Sequence, residues 1–338
     1  MIATLLCLYA AGTLTLSDTP ATSPHTMPWN DQTTLEATPV PQKDPSAIAP
    51  VIKAKAAIAV DLKNGLILYE KNIHEPLPIA SLTKLMTAVI VLEENNLKEV
   101  VKVSKGVSQT EGSKIWLAPD EKIIVENLMY GILINSANDA AMALAEFNSG
   151  TVEKFVEKMN TKTHELGLIA TNFVNPTGLN EPPKEKVLQP DSGNTQPPAN
   201  QPQENKGMGG NKSILDLKSN EAQNQYQNFS TAYDLTLLAR YAYGKSFVRR
   251  ATIKKEMEVA SVNEKITHKL KNTNEMLESY LNVLGLKTGT TDEAGECLIA
   301  IIENDEGHDI LTVVLNSPSR YNETKILADW VFRAYKWN

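Results

Sequence analysis

The sequence predicts an α+β fold in which distant parts of the chain share one antiparallel sheet. Apolar runs typical of strands lie near residue 56 and again after residue 281, and the stretches between them carry helical periodicity. Strands at both ends with helices in the middle indicate a sheet made by the two ends and a second lobe made by the central helices. A chain of 338 residues can bury such a core, as one large domain or as two lobes.

Two segments of different composition precede that fold. Residues 1–17, MIATLLCLYAAGTLTLS, are apolar and uncharged and are typical of a signal peptide or an N-terminal anchor, with a buried strand or helix as the alternative. Residues 18–54 begin with a Pro- and Thr-rich stretch, and we expect them to be a linker that packs no core. The sequence therefore predicts export, with any membrane tether at the N-terminus.

The first elements of the predicted domain, residues 55–338, are a hairpin and a helix. The run AAIAVDLKNGLILYEK has two apolar stretches around the Asn-Gly pair at 64–65, the strongest short signal for a hairpin turn. Apolar periodicity predicts a helix over 81–95. A second helical region is predicted over 121–167, interrupted at the sequence Asn-Ser-Ala-Asn-Asp.

The later elements complete the predicted sheet. Thr231 starts a helix, and Asp234 is placed to complete a capping box. The run LNVLGLKTGTT predicts a strand, ECLIAIIENDEGHDILTVVLNSP predicts a hairpin turning near 305–307, and a last helix covers about 319–336. Between the helices, Pro, Gly, Asn and Gln supply 24 of the 48 residues of 181–228, which predicts a disordered insertion; a small ordered module is the alternative.

Composition and charge argue against several classes of function. The net charge of −7 argues against nucleic acid and against an electrostatic contact with a membrane. The five histidines are scattered without ligand spacing, so we predict neither a zinc site nor another cofactor. Cys7 and Cys297 lie far apart, so no disulfide framework is expected, and Cys297 is predicted to be a small buried apolar residue.

Three short motifs carry residues suited to chemistry. Ser81 and Lys84 share one helix face, so the lysine can take the serine proton if burial or a second cation lowers its pKa. Ser136 and Asn138 offer a hydroxyl and an amide at the helix break. The strand end Lys287-Thr288-Gly289-Thr290 suits an extended substrate that ends in a carboxylate. Each motif alone is common, and their order and placement together favour one site.

Longer stretches extend these motifs: PIASLTKLMTA, NSANDAAMALAE, NPTGL, FSTAYDL, LKTGTT and AGECLIA. From about Ala56 to Asn338 the chain closely resembles the D-alanyl-D-alanine carboxypeptidases, the low-molecular-weight serine penicillin-binding proteins. The resemblance implies the two-lobed β-lactamase/transpeptidase-like fold with its groove between the lobes. It also implies removal of the terminal D-alanine from peptidoglycan stem pentapeptides, inhibition by β-lactam antibiotics, and an extracytoplasmic location in the periplasm or on the cell-wall side of the membrane.

The resemblance assigns roles to the residues of the motifs. Ser81 is the expected nucleophile, Lys84 its general base and Ser136 the proton relay to the leaving D-alanine. Arg320 is expected either to help hold the substrate carboxylate or to be an ordinary surface residue at a helix start. The remaining residues are expected to bind the substrate, with the backbone N–H groups of Ser81 and Thr290 as the oxyanion hole: Asn138, Lys287, Thr288, Gly289 and Thr290.

Three other functions stay open beside the carboxypeptidase. Endopeptidases that cut D-Ala cross-links share the same motifs. A class A β-lactamase is disfavoured because ATNFVNPTGLNEPP, after Ser136, has no Glu-x-x-Leu-Asn pattern, which predicts slow release of a penicilloyl group. A catalytically idle wall-binding protein is disfavoured because nucleophile, base and anion-binding residues are all present.

Many relatives continue into a β-rich domain and an amphipathic anchor, so a tether is expected here only at the N-terminus.

Overall fold

The structure, a computed structural model, describes residues 26–27, 40–180 and 227–337. The predicted signal-like segment and nearly all of the predicted insertion lie outside the described residues. The strands are β1 (Pro41–Lys43), β2 (Ala56–Asp61), β3 (Ile67–Lys71), β4 (Leu77–Pro78), β5 (Val100–Lys102), β6 (Lys122–Ile124), β7 (Phe229–Ser230), β8 (Glu256–Ala260), β9 (Thr267–Lys271), β10 (Asn282–Thr291), β11 (Gly295–Glu303), β12 (Asp309–Ser317) and β13 (Tyr335–Trp337).

Helices fill the middle of the described chain and close its end. None of those within the described ranges is both long and apolar enough to span a bilayer. The α-helices are α1 (Lys84–Glu94), α2 (Lys105–Ser108), α3 (Val125–Ile134), α4 (Asn138–Ser149), α5 (Val152–Glu165), α6 (Ala232–Gly244), α7 (Ser246–Thr252) and α8 (Arg320–Ala334), with 3₁₀ turns at Ala80–Thr83 and Glu275–Glu278.

The centre of the fold is a five-stranded antiparallel sheet in the order β10-β11-β12-β2-β3. Strands β2 and β3 come from the first hairpin and β10 to β12 from residues 282–317, so the two distant parts of the chain meet as predicted. The first hairpin turns at Gly65, whose φ of 77° suits the tight Asn-Gly turn. The predicted α+β fold is therefore confirmed.

Both faces of this sheet are covered, and β2 shows how. Ile58 and Val60 enter a core shared with the helical lobe, and the alternate residues Ala57 and Ala59 enter a second core against α8. Side chains alternate between the two faces of a strand, so a strand covered on both sides reads as a continuous apolar run. All six residues of β2 are buried for this reason.

The helical lobe is built around α1, which helices α3, α4, α5 and α6 all contact. Eight of its eleven residues are buried. Its first turn continues the 3₁₀ turn Ala80–Thr83, and that turn packs against β10. The start of α1 therefore meets the outer strand of the sheet at the boundary between the two parts of the fold.

The helical region predicted over 121–167 begins later than expected, and the prediction missed one of its two interruptions. Residues Lys122–Ile124 form strand β6, which pairs with β5, and the first helix begins only at Val125. A second break falls at Gly150, whose φ of 80° ends α4. The capping box was also half wrong: Thr231 Oγ1 accepts the N–H of Asp234, but the Asp234 carboxylate accepts from Ala170 N instead.

The folded part extends beyond two predicted boundaries. Residues 40–54 were predicted to be linker, yet β1 pairs with β13 and the side chain of Ile52 is buried. At the other boundary, Asn228 was placed in the insertion, yet it is 3% exposed and its amide oxygen accepts the backbone N–H of Val174. Short pairings between segments far apart in sequence carry no local periodicity, which is why the sequence did not indicate them.

Candidate active site

Ser81 and Lys84 lie one turn apart where the 3₁₀ turn continues into α1. The Nζ of Lys84 donates a hydrogen bond to the Oγ of Ser81 at 2.9 Å. The side chain of Lys84 is wholly buried, and burial lowers its pKa well below the usual value. The charge of Lys287 lowers this pKa further, and Asp139 opposes both effects. A neutral amine at this distance can accept the serine proton.

Two further acceptors fix the Lys84 amine in place. Its Nζ donates to Asn138 Oδ1 at 2.6 Å and to the backbone carbonyl of Thr177 at 2.6 Å. The Asn138 amide is itself oriented, because its Nδ2 donates to the carbonyl of Glu111 at 2.8 Å. The sequence predicted Asn138 but neither carbonyl, since every residue has a backbone carbonyl and no residue type marks one.

Ser136 and Lys287 form the second pair of the site. Ser136 lies in the short loop between α3 and α4 with a φ of 57°, and its Oγ accepts from Lys287 Nζ at 2.9 Å. Lys287 is buried, and burial, aided by the charge of Arg320, lowers its pKa to about 7. Near neutral pH this lysine therefore exchanges readily between its charged and neutral forms.

Gly289 lets β10 approach Ser81 closely. A Cβ at this position would lie 2.9 Å from the carbonyl oxygen of Ile79 and 3.1 Å from the backbone nitrogen of Ser81. A side chain at this position would therefore push β10 away from the backbone around Ser81. Among the described strands, β10 is also the end strand of its sheet, and an extended peptide can add to such an edge.

A turn in NPTGL packs closely against the backbone of Ala80 and Ser81. Gly178 has a φ of 85°, and a Cβ there would lie 1.9 Å from the carbonyl oxygen of Ala80. The Oδ1 of Asn175 accepts the N–H groups of Thr177 and Gly178 at 3.1 and 2.8 Å. NPTGL had no predicted role, although Asn-Pro followed by Gly is a signal for a tight turn.

Arg320 lies beside the end of β10, which places it at the edge of the groove rather than on a remote surface. Its Nη1 donates to the carbonyl of Gly289 at 3.0 Å and to the hydroxyl of Thr290. Thr288, between these residues and Lys287, shares a hydrogen bond of 2.7 Å with the hydroxyl of Thr273. The strand end therefore gathers two cations and several hydroxyls, which suits a carboxylate.

Cys297 is not part of this chemistry. It is wholly buried, and burial raises the pKa of its thiol to about 11. It packs among apolar side chains of the core, as the small buried apolar residue that was predicted. Within the described residues no three His, Cys, Asp or Glu side chains are grouped so that they could hold a metal ion.

Comparison with known proteins shows which family the chain matches. A family model described as D-alanyl-D-alanine carboxypeptidase, Peptidase_S11, matches residues 43–319. The D-alanyl-D-alanine carboxypeptidase DacF of Bacillus subtilis is 32% identical over 292 residues, which cover 84% of this chain and 63% of DacF. The D-alanyl-D-alanine endopeptidase of Pseudomonas aeruginosa is 28% identical over 270 residues, 79% of this chain and 72% of that protein.

A solved structure shows the same architecture. A cysteine-to-asparagine mutant of the Streptomyces K15 DD-transpeptidase matches with a TM-score of 0.66 and 27% identity, over 84% of this chain and all of that one. The penicillin-binding fold expected from the motifs is thereby confirmed. The chain spans less than two thirds of DacF, 63% of its length.

Proposed function

The chain belongs to the D-alanyl-D-alanine carboxypeptidase family, and we propose that it removes the terminal D-alanine from peptidoglycan stem pentapeptides through an acyl-enzyme on Ser81. One observation carries the proposal: the Nζ of Lys84 lies 2.9 Å from the Oγ of Ser81, in a buried position that lowers the lysine's pKa. A serine hydroxyl is a weak nucleophile by itself, and an adjacent neutral amine is a base that activates it.

The acylation step uses both pairs of the site. Lys84 takes the proton of Ser81 as the Oγ forms a bond to the D-alanyl carbonyl carbon, and the backbone N–H groups of Ser81 and Thr290 bind the oxyanion. The C–N bond then breaks. The leaving nitrogen receives a proton through Ser136, which accepts a hydrogen bond from Lys287. A water molecule later hydrolyses the ester, and the peptide leaves as a carboxylic acid.

The substrate is held by the strand and by charge. We infer that an extended peptide pairs with the free edge of β10 while its terminal carboxylate meets Lys287, Thr288 and Arg320. Asn138 binds the peptide backbone from the opposite wall and fixes Lys84 at the same time. This set of contacts suits a short peptide with a free carboxylate and needs no cofactor.

β-Lactam antibiotics present the same carbonyl and carboxylate, so we expect them to acylate Ser81 and to be released slowly. Release in a class A β-lactamase needs a glutamate that activates water. The buried carboxylate of Asp139 does not offer that role, because its two oxygens accept the backbone N–H groups of Ile115 and Leu117 at 3.1 Å each. Inhibition rather than resistance is therefore the expected outcome.

The proposed substrate also sets a location. Peptidoglycan lies outside the cytoplasmic membrane, so we propose that the protein acts there, exported or tethered through residues 1–17. The mature N-terminus of secreted protein and its presence in a membrane fraction would test the two routes. A protein found only in the cytoplasm would contradict both.

The first test is the intact mass of the full chain after mixing with penicillin, followed over hours, with Ser81→Ala as the control. A long-lived adduct that requires Ser81 would support the nucleophile and the family chemistry. Consumption of the drug without an adduct would instead favour a β-lactamase. Intact drug and no adduct would favour the idle wall-binding protein and would contradict the proposal.

A further inference from the structure

The guanidinium of Arg320 is held in place by neutral oxygens. Its Nη1 donates to the carbonyl of Gly289 and to the hydroxyl of Thr290. Its Nη2 donates to the hydroxyl of Tyr321 at 3.3 Å, and the guanidinium lies over the Tyr321 ring, 4.8 Å from its centroid. Because these acceptors carry no net charge, the arginine keeps its own charge for a carboxylate, but its position depends on these neighbours.

Tyr321 joins this arginine to the segment that precedes β10. Its ring packs against the core between the sheet and α8. Its hydroxyl donates to the backbone carbonyl of Thr273 at 2.8 Å and accepts from Arg320. A phenolic hydroxyl can donate one hydrogen bond and accept another, so a single oxygen couples the arginine to Thr273.

Thr273 directs all three of its polar groups to elements of the site. Its hydroxyl shares a 2.7 Å hydrogen bond with the hydroxyl of Thr288, and its carbonyl accepts from Tyr321. Its backbone N–H donates to the carbonyl of Ile134 at 3.2 Å, and Ile134 ends α3 two residues before Ser136. Thr273 therefore connects β10 to the helix end that leads into the proposed proton relay.

These contacts form one hydrogen-bonded network with a carboxylate-binding group at each end. It runs from Arg320 through the Tyr321 hydroxyl and Thr273 to the hydroxyl of Thr288. Arg320 and Thr288 are the two groups that the proposed function assigns to the terminal carboxylate. Two donors that bind one carboxylate must keep a fixed separation, because its oxygens are held rigidly on one carbon. Tyr321 and Thr273 are the residues that connect these donors.

We propose that Tyr321 and Thr273 are positioning residues that set the specificity for a leaving group with a free carboxylate. The inference rests on the proposed function, because it concerns acylation of Ser81 by the same peptide. The carboxylate belongs to the D-alanine that leaves, so contacts to it act on acylation and are gone when water hydrolyses the ester. Displacing these donors therefore affects only substrates whose leaving group carries the carboxylate.

The test compares two substrates that give the same acyl-enzyme. One is a peptide that ends in D-Ala-D-Ala, and the other is the matching thioester, in which a simple thiol without a carboxylate replaces the terminal D-alanine. For Tyr321→Phe, which keeps the ring and removes one oxygen, we expect kcat/KM on the peptide to fall about tenfold and the thioester value to stay unchanged. Thr273→Val, which removes the hydroxyl and keeps the size of the side chain, should show the same selective loss.

Two further variants complete the comparison. Tyr280→Phe is the matched control, because Tyr280 is exposed and its hydroxyl bonds to Asp329 of α8 instead, so both values should be those of the wild type. The double variant Arg320→Gln/Tyr321→Phe tests the coupling. If Tyr321 acts through the arginine, adding Tyr321→Phe to Arg320→Gln should lower kcat/KM on the peptide by about threefold or less.

Each outcome separates this inference from the function on which it rests. An equal fall on both substrates would indicate a merely structural role and would overturn the inference, and so would a wild-type value on the peptide for either single variant. A full tenfold loss added to Arg320→Gln would also overturn it, because Tyr321 would then act independently of the arginine. A wild-type protein that cleaves neither substrate and forms no penicillin adduct would instead contradict the proposed function itself.

Discussion

Lys84 occupies a position where a charged ammonium group is unfavourable. Its side chain is wholly buried, and Lys287 is close enough for its charge to lower the pKa of Lys84 further. Its hydrogen-bond acceptors are a hydroxyl, an amide oxygen and a backbone carbonyl, which fix the amine without supplying a full negative charge. The two buried lysines therefore set the pH at which Lys84 becomes a base.

Replacing Lys287 by glutamine tests this coupling. Removing the second charge raises the pKa of Lys84, so its neutral form is reached only at higher pH and the acid limb of the acylation profile moves to higher pH. The measurement is the rate of penicillin acylation of Ser81 across the pH range, followed by intact mass. The rate itself also falls because a carboxylate contact is lost, so the position of the limb is what is compared.

The exposed Lys269→Gln variant is the matched control for that experiment, and its profile should coincide with that of the wild type. A limb that stays in place or moves to lower pH in Lys287→Gln would show that the two buried lysines do not interact as described.

Gly289→Ala tests the contact between β10 and the backbone of Ser81. The added Cβ would meet the backbone of Ile79 and Ser81 at 2.9 and 3.1 Å, so the strand must shift away from Ser81 and carry with it the backbone N–H of Thr290, which we propose as one half of the oxyanion hole. Losing one oxyanion contact costs about 100-fold or more in rate, and we expect the acylation rate constant with penicillin to fall by that amount. Gly244→Ala, where a Cβ meets nothing within 4 Å, should acylate normally. A Gly289→Ala protein acylating at the wild-type rate would contradict this account.

At the residue scale the sequence indicated the side chains of the site but not the backbone carbonyls that hold two of them in place. Ser81, Lys84, Ser136 and Lys287 could be identified because their residue types stand in recognisable motifs. The structure brings them together as the pairs Ser81–Lys84 and Ser136–Lys287. The carbonyls of Thr177 and Glu111, which complete the hydrogen bonds of Lys84 and Asn138, are not visible in that way. Their positions depend on the path of the chain, which only the fold determines.

At the scale of elements, prediction succeeded where a segment was long and apolar. Strands β2 and β12 and helix α1 are nearly fully buried, and each shows a continuous apolar pattern. Strands β1 and β13 have three residues each and pair across almost the whole chain, so neither has a local pattern. The pairing of distant short segments is a tertiary interaction, and single-sequence periodicity cannot detect it.

One buried ion pair joins strand β9 to the segment between α2 and β6. His268 of β9 contacts the carbonyl of Ile115 through Nδ1 at 2.7 Å and the carboxylate of Glu121 through Nε2 at 2.8 Å. Burial alone would lower the pKa of His268, but the Glu121 hydrogen bond and charge outweigh it, and the net shift is upward. Ile115 belongs to the same loop as Glu111, whose carbonyl orients Asn138.

His268→Gln should therefore destabilise the protein in a pH-dependent way. A pKa that is raised on folding stabilises the fold fully below the unfolded value of about 6.5, and that contribution is lost as pH rises through the higher folded value. We expect the variant to lose about 1–3 kcal/mol of unfolding free energy in mildly acidic solution, and less at alkaline pH. Urea denaturation of both proteins across this range measures the difference.

His164→Gln is the control for this prediction, because His164 is exposed on α5. Its effect on the unfolding free energy should be small at every pH. A deficit in His268→Gln that grows as the pH rises would contradict the direction of the pKa shift.

At the scale of the whole molecule, the described residues on both sides of the predicted insertion lie next to the active site. The Nδ2 of Asn175 donates to the carbonyl of Leu179 at 2.7 Å, and the Oδ1 of Asn228 accepts the backbone N–H of Asn175 at 3.2 Å. Asn175 therefore bonds to the described chain on both sides of residues 181–226, to Leu179 before them and to Asn228 after them. Asn228 also donates to Thr83, next to Lys84, at 2.9 Å, so the anchoring is continuous with the site.

This anchoring predicts that the fold does not depend on the insertion. Replacing residues 182–226 by a six-residue Gly/Ser linker keeps Asn175 and Asn228, and because both ends meet at Asn175 a short linker is long enough to join them. If this stretch is disordered as the sequence predicts, shortening it about eightfold reduces the entropy cost of closing it, and we expect the unfolding free energy to stay the same or to rise by about 1–2 kcal/mol. Penicillin should still acylate Ser81, as intact mass would show. A linker variant that folds by circular dichroism but forms no adduct would show that the replaced residues take part in the site. The control is Asn228→Ala, which removes an anchor but keeps residues 182–226, and we expect it to destabilise the protein.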